Sequence, residues 1–228
     1  MEMNNDILER EFKKQGPWLT GFIINGKLYG GEFCCANDER IPMFFEAFPD
    51  ARKILDLGIL EGGQTFELAE KPGVSVIGIE GREDNFGRAS FIRELLGFNN
   101  VQLVLGDLEK EDLDWLGQSD AVFCSGILYH LPRPWELIAR ISRVTSNLFI
   151  WTEYAPEKDA TEIVENEYRG LWYQEPPDPA SGLSTKSFWP TLGSLCSMLW
   201  HNGFTNITLL EIDPYHDWGP SVSIAARK

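Results

Sequence analysis

Three short stretches of this sequence place acids and glycines where a parallel sheet would present them to a ligand. Asp56-Leu57-Gly58-Ile59-Leu60-Glu61-Gly62-Gly63 ends an apolar run and leads into a helical pattern. Glycines there let the backbone turn sharply and approach a ligand, since no Cβ intervenes. A second apolar run ends in Glu80, seventeen residues after Gly63, where a carboxylate can accept two hydrogen bonds from a ribose diol. A third ends in Gly106-Asp107, an acid beside the place an adenine would take. The glycine spacing is G-x-x-x-G-G rather than the G-x-G-x-x-G of a pyrophosphate cradle, and two acids suit a ligand without phosphates. Taken singly, Gly58 could be a plain turn and Glu80 a solvated strand end; their order and spacing make the joint reading.

A second set of residues could move protons. Tyr129 and His130 follow a fourth apolar run, Glu153 and Tyr154 end a fifth, and the last loop carries Asp213, His216 and Asp217. Histidine is the side chain whose charge changes near neutrality, so His130 is the first choice for a general base. Tyr129 and Glu153 are the other catalytic candidates. His201 lies beside Gly203 at a helix end and reads as a C-terminal capping residue. His130, Glu153, Asp213, His216 and Asp217 include oxygen and imidazole donors that suit magnesium or manganese. Their spacing follows no recognised metal pattern, and no metal is assigned.

The elements that must carry these groups follow from periodicity. Residues 4–15 read as a polar helix, PWLTGFIINGKLYGG as two short strands around Asn25-Gly26, and 41–48 as a short helix. Strand-like runs then fall at 53–58, 74–80, 101–106, 120–126 and 146–154, nearly continuously apolar as in strands covered on both faces. Helical stretches separate them. One near 83–96 is expected to bury Phe86, Ala89, Ile92, Leu95 and Leu96 and to stop at Gly97, and another begins at Pro132 or Pro134. A helix near 190–202, with Leu192, Leu195, Cys196 and Leu199 on one face, is followed by two runs with only a turn-rich loop between them. These form an antiparallel pair at the sheet edge. The fold class is α/β: a Rossmann-like, seven-stranded, mostly parallel sheet with a reversed final strand and helices on both faces.

ILDLGILEGG, VIGIE, LGDLE and SGILYHLPRP together resemble the class I S-adenosylmethionine-dependent methyltransferases over about residues 52–228. One departure is Leu60, where many members carry a second glycine. The resemblance implies that the cofactor is S-adenosyl-L-methionine. It implies that Asp56 and Gly58 hold the methionine amino end, that Gly62, Gly63 and Gln64 open the helix facing the methionine carboxylate, and that Glu80 binds ribose. It further implies that Asp107 and Leu108 hold the adenine, with Ser125 and Gly126 flooring the site.

The domain reading is an N-terminal helix and hairpin appendage over 1–50 covering the active site, then a methyltransferase domain over 51–228. That domain carries a lid insertion at about 155–189, read as a helix plus a mobile loop. Trp18, Tyr29 and Phe33 from the appendage, with Trp172, Tyr173, Phe188 and Trp189 from the insertion, suggest a covered, partly apolar acceptor pocket.

Composition selects among acceptors. The chain has 228 residues, 20 Lys and Arg against 35 Asp and Glu, and a net charge of −15. Its 43% apolar and 24% charged fractions exclude a largely disordered chain. SGILYHLPRP, VIGIE and ILDLG also resemble the enzymes that alkylate a wobble-uridine hydroxyl in transfer RNA with a carboxylated relative of the cofactor. Such a substrate requires a basic active-site mouth, whereas the insertion is acidic at Glu157, Asp159, Glu162, Glu165 and Glu167. Nucleic acid is therefore disfavoured, and a small-molecule acceptor, a sugar or natural-product hydroxyl, is preferred. A methyltransferase fold serving only as a binding protein is the other alternative; intact Glu80 and Asp107 speak against it. The four cysteines form no C-x-x-C pair, and no apolar run is long enough to span a membrane. The expectation is a cytoplasmic protein with no membrane partner, for which homodimerisation is an open option.

Overall fold

The computed structural model describes residues 4–165 and 167–228; residues 1–3 of the N-terminal segment and Asn166 of the insertion lie outside the described residues. The chain opens with α1 (Asn5–Lys14), β1 (Thr20–Ile24), β2 (Lys27–Gly30), β3 (Phe33–Cys34) and α2 (Arg40–Ala47). The alternating part follows as β4 (Lys53–Leu57), α3 (Gly63–Glu70), β5 (Ser75–Glu80), α4 (Glu83–Leu96), β6 (Val101–Leu105), β7 (Ala121–Ser125), α5 (Pro134–Val144) and β8 (Asn147–Glu153). Then come β9 (Glu162–Val164), β10 (Tyr168–Gln174), β11 (Lys186–Pro190), α6 (Leu192–His201), β12 (Asn206–Asp213) and β13 (Ser221–Arg227).

The main sheet has seven strands in the order β12-β13-β8-β7-β4-β5-β6. β4, β5, β6, β7 and β8 are mutually parallel, and β13 runs antiparallel to both β8 and β12. The reversed strand therefore sits inside the sheet, with β12 on the edge. Strand order turns back at β4, whose neighbours are β5 and β7, so the crevice beyond its carboxyl end is where such sheets bind ligands.

Both faces of the sheet are covered, which explains the continuous apolar runs. Leu55, Leu57, Val122 and Ile150 pack with α5 and α6 residues such as Ile138, Ile141 and Leu199. Ile54, Val76, Phe123 and Phe149 pack on the other face with Phe66 of α3, Ile92 of α4 and Phe44 of α2. Leu8, Phe12, Phe22 and Tyr29 of the N-terminal segment join that second cluster. The buried Glu61 carboxylate also accepts the backbone N–H groups of Leu19 (3.0 Å) and Thr20 (2.6 Å) and lies 3.4 Å from Arg88. The N-terminal segment is thus docked on the glycine-bearing loop itself.

Three expectations change. The insertion holds no helix among its described residues; β9, β10 and β11 form a three-stranded antiparallel sheet. Tyr168 and Gly170 alternate inward, Tyr168 opposite Val164 of β9 and Gly170 opposite Pro190 of β11, a strand that is buried after Lys186; a period of two prevails over the helical reading of the acidic stretch. In α4, Leu96 is exposed while Asn85 and Arg88 are buried, because Arg88 is drawn in toward Glu61 and the Gln15 carbonyl. In α6, Met198 rather than Cys196 faces the core. His201 closes that helix with Nδ1 3.1 Å from the Tyr168 hydroxyl.

Candidate active site

A cavity of about 1250 Å³ opens at the carboxyl ends of β4, β5, β6, β7 and β8, under the N-terminal segment on one side and the insertion on the other. The loop after β4 shapes one end of it. Gly58, Leu60 and Gly62 have φ of 75°, 53° and 88°, so Leu60 adopts the left-handed conformation a glycine would take there, at a cost of about 1–2 kcal/mol. Its N–H donates to Glu80 Oε2 at 2.9 Å, and the Arg82 N–H donates to Oε1 at 2.8 Å. Two backbone donors therefore aim a buried carboxylate at the loop and cavity. Burial raises the Glu80 pKa from its ordinary value, and these amides counter it in part. At the first turn of α3, a Cβ on Gly63 would come within 2.5 Å of Cys35 Sγ; only glycine lets the N-terminal segment close on the helix start.

Of the residues expected to hold a cofactor, Gly58, Gly63, Gln64, Glu80, Asp107, Leu108, Ser125 and Gly126 line this cavity. Asp56 and Gly62 do not. β4 alternates, so Asp56 shares the face of Ile54 beneath α3, where it accepts from Thr65 Oγ1 at 2.7 Å; burial pushes its pKa up to about 7. Gly62 turns the chain into α3, with Phe66 behind it. Asp107 is braced by the Glu109 N–H and by Lys110 at 2.7 Å. The set fits a nucleoside-bearing cofactor without phosphates: a backbone cradle, an anchored acid at the end of β5 and a second acid after β6.

Tyr129, His130, Glu153, Asp213 and His216 line the same cavity; Tyr154 and Asp217 do not. Tyr154 packs against the core, and Asp217 is exposed. Of the aromatic residues singled out in the sequence, Trp18, Phe33, Tyr173 and Trp189 line it, whereas Tyr29, Trp172 and Phe188 pack elsewhere.

His130 Nδ1 lies 2.9 Å from Glu175 Oε2. Glu175, just past β10, also accepts from the Gly182 N–H at 3.0 Å and from Ser187 Oγ. Burial would raise its pKa, but these donors outweigh burial and hold it below the usual carboxylate value. An ionised Glu175 can only accept, so Nδ1 of His130 carries a hydrogen toward it, and Nε2 of this cavity residue has no hydrogen-bond partner among the described residues. Glu153, which lines the same cavity, is buried and has no such donor among the described residues: His216 Nδ1 is 3.4 Å away without hydrogen-bond geometry. Burial, and then the charge of Glu175, push its pKa up to about 7. Tyr129 is raised as well, by burial first and then by Glu153.

Two participants escaped sequence reasoning. Glu175 was one acid in a Pro-rich loop, with no periodic signal marking it as buried. Arg40 reaches Ser125 Oγ at 3.2 Å, pairs with Asp38 at 2.6 Å and stacks on Trp151 at 4.8 Å; its partner Ser125 lies 85 residues away. Among the described residues, no group of three or more His, Cys, Asp and Glu side chains is arranged to hold a metal ion, and no helix is long and apolar enough to cross a membrane.

Comparison with known proteins agrees with the fold. A family model described as a methyltransferase domain matches residues 49–175. The crystal structure of the N-terminal domain of EvdMO1 in the presence of SAH and D-fucose superposes with a TM-score of 0.90 at 36% identity, covering 99% of this chain and 97% of that one. The structure of EvdMO1 itself gives a TM-score of 0.80 at 33% identity, with 48% of that chain covered. A tRNA U34 carboxymethyltransferase from Actinobacillus succinogenes is 27% identical over 177 residues, 73% of this chain and 51% of that protein. The chain spans about half the length of the curated relatives it matches. With its motifs, reversed-strand sheet and matching family model, this chain belongs to the class I S-adenosylmethionine-dependent methyltransferases.

Proposed function

We propose that the chain transfers a methyl group from S-adenosylmethionine to a hydroxyl of a small polar acceptor, a sugar, with His130 as general base. When bound, the cofactor supplies an electrophilic methyl group. Glu80 would accept the ribose hydroxyls, Asp107 and Leu108 the adenine, and Gly58, Gly63 and Gln64 the methionine end, over Ser125 and Gly126. His130 Nε2 would take the acceptor proton, a role worth about 10²–10⁴-fold. Glu175 positions the imidazole, and Tyr129 stays a neutral hydroxyl beside it. The N-terminal segment and the insertion, read as separate coverings of the site, would exclude water from it.

The observation that carries this reading is the His130–Glu175 pair, a base with its tautomer fixed at the wall of a cavity large enough for two ligands. The EvdMO1 N-terminal domain, crystallised in the presence of SAH and D-fucose, supports a sugar acceptor. The tRNA-modifying relatives suggest a second acceptor class. Against it, carboxylates lining the cavity outnumber guanidinium groups nine to two, a poor match for a phosphate backbone.

Calorimetry with SAH and mass spectrometry after incubation with S-adenosylmethionine and D-fucose test the proposal. SAH binding and a product one methyl group heavier are expected. Glu80→Ala should weaken SAH binding by about tenfold or more, the loss of a paired carboxylate contact. Unchanged affinity in that variant overturns the ribose assignment; absence of SAH binding overturns the reaction.

A further inference from the structure

One wall of the cavity has polar groups that nothing among the described residues satisfies. Trp189, at the end of β11, is only 7% exposed, lines the cavity, and has an indole N–H without a partner. A buried tryptophan ordinarily finds an acceptor for that donor. Glu153, 3% exposed, is its counterpart: a carboxylate that receives no hydrogen bond from the described residues, with the unpartnered His216 Nδ1 at ion-pair distance. These groups are brought together by one contact. A Cβ on Gly219 would lie 2.8 Å from the Trp189 ring and 3.9 Å from Glu153 Oε2, so the loop carrying His216 and Trp218 settles directly on both.

The same wall is aromatic and, among the described residues, has no free guanidinium or ammonium group. Tyr173 stacks on Trp189 with ring centres 4.9 Å apart, and Trp218 stands 81% exposed at the cavity lining. Only two guanidinium groups reach the cavity among the described residues. Arg40 is engaged by Asp38, and Arg82 donates to the carbonyls of Ser181 and Gly182 at 3.0 and 2.8 Å. A diphosphate would meet Glu153, Asp213 and Glu211 with nothing to neutralise it.

We propose that Trp189, Glu153 and His216 form an acceptor subsite for an uncharged sugar ring, and that this subsite rejects the same sugar linked to a nucleoside diphosphate. The indole N–H donates to a ring or hydroxyl oxygen, Glu153 accepts from a hydroxyl, and the aromatic faces cover the apolar side of the ring. The activating phosphates must therefore have left the sugar before it is methylated. The subsite deepens the methyl-transfer reading and rests on it for the identity of the reaction, although its binding can be measured without turnover.

Saturation-transfer NMR on the full chain, with and without SAH, compares D-fucose, methyl β-D-fucopyranoside and thymidine-diphosphate-D-fucose. The neutral sugars should receive saturation, while the diphosphate sugar should bind at least tenfold more weakly. Trp189→Phe keeps an aromatic ring at the position and removes the N–H, and should weaken neutral-sugar binding about tenfold with SAH affinity within twofold; Glu153→Gln should do the same. Tighter binding of the diphosphate sugar, no binding of either neutral sugar in both states, or wild-type sugar affinity in both variants overturns the subsite. Loss of SAH binding alone, with sugar binding retained, overturns the methyl-transfer reading and upholds the subsite.

Discussion

Two histidine–carboxylate pairs face the same cavity and behave oppositely. Glu175 and Glu153 are both buried, yet Glu175 is held below its ordinary pKa while Glu153 is raised to about 7. The difference is the number of donors. Glu175 accepts from His130, the Gly182 N–H and Ser187, whereas Glu153 has, among the described residues, only His216 at 3.4 Å. Burial penalises the charged form in both, and the donors aimed at the charged form outweigh that penalty at Glu175 alone of the two. One pair is pre-organised to hold a base in a single tautomer; the other is left open to a ligand.

Removing the base itself is expected to have the largest effect on this contrast. His130→Ala should lower kcat by about 10²-fold or more, with SAH affinity unchanged by calorimetry; turnover near wild type would transfer the base role elsewhere. Glu175→Gln comes next. It retains an acceptor but loses the charge, so kcat should fall about tenfold with acceptor KM and SAH affinity steady. The downfield imidazole N–H resonance of His130 should broaden or vanish in the same variant; a change in KM alone would reduce Glu175 to a structural role.

The smallest effect sharpens the comparison from the side of stability. Because the folded-state pKa of Glu153 is near 7 against an ordinary 4.5, the folded protein keeps a proton that the unfolded chain has lost between those values. Stability from this group therefore falls as pH rises through that window, and the penalty is complete above it. Glu153→Gln should raise the Tm by about 3 °C at pH 8 and have no effect near pH 4, measured by scanning calorimetry. A gain that does not depend on pH would mean that Glu153 is charged and satisfied in the fold.

Much of the scaffold was legible because its signals are local. Continuous apolar runs marked β4, β5, β6, β7 and β8, Gly97 with φ of 74° stopped α4, and Pro134 started α5. Gly58, Glu80 and Asp107 were readable because each ends a strand, and strand ends converge wherever a parallel sheet forms. Leu60 shows where motif reading stops. The sequence has leucine where a glycine is common, but the backbone still adopts the glycine-like φ of 53°, with its N–H taken up by Glu80. Asp56 sits in the motif as expected, yet strand alternation turns it away from the cavity toward Thr65.

By itself, the sequence determined the strand and helix order of the main sheet, the acids that end β5 and follow β6, and an acidic balance unsuited to polyanions, since these depend on neighbouring residues or on composition alone. Tertiary structure decided what those groups meet. Glu175 becomes the partner of His130 across 45 residues, Arg40 reaches Ser125 across 85, and Gly219 lets a distant loop settle on Trp189 and Glu153. Whether a buried carboxylate is charged depends on which donors the fold brings within about 3 Å of it, a distance that no local sequence pattern encodes.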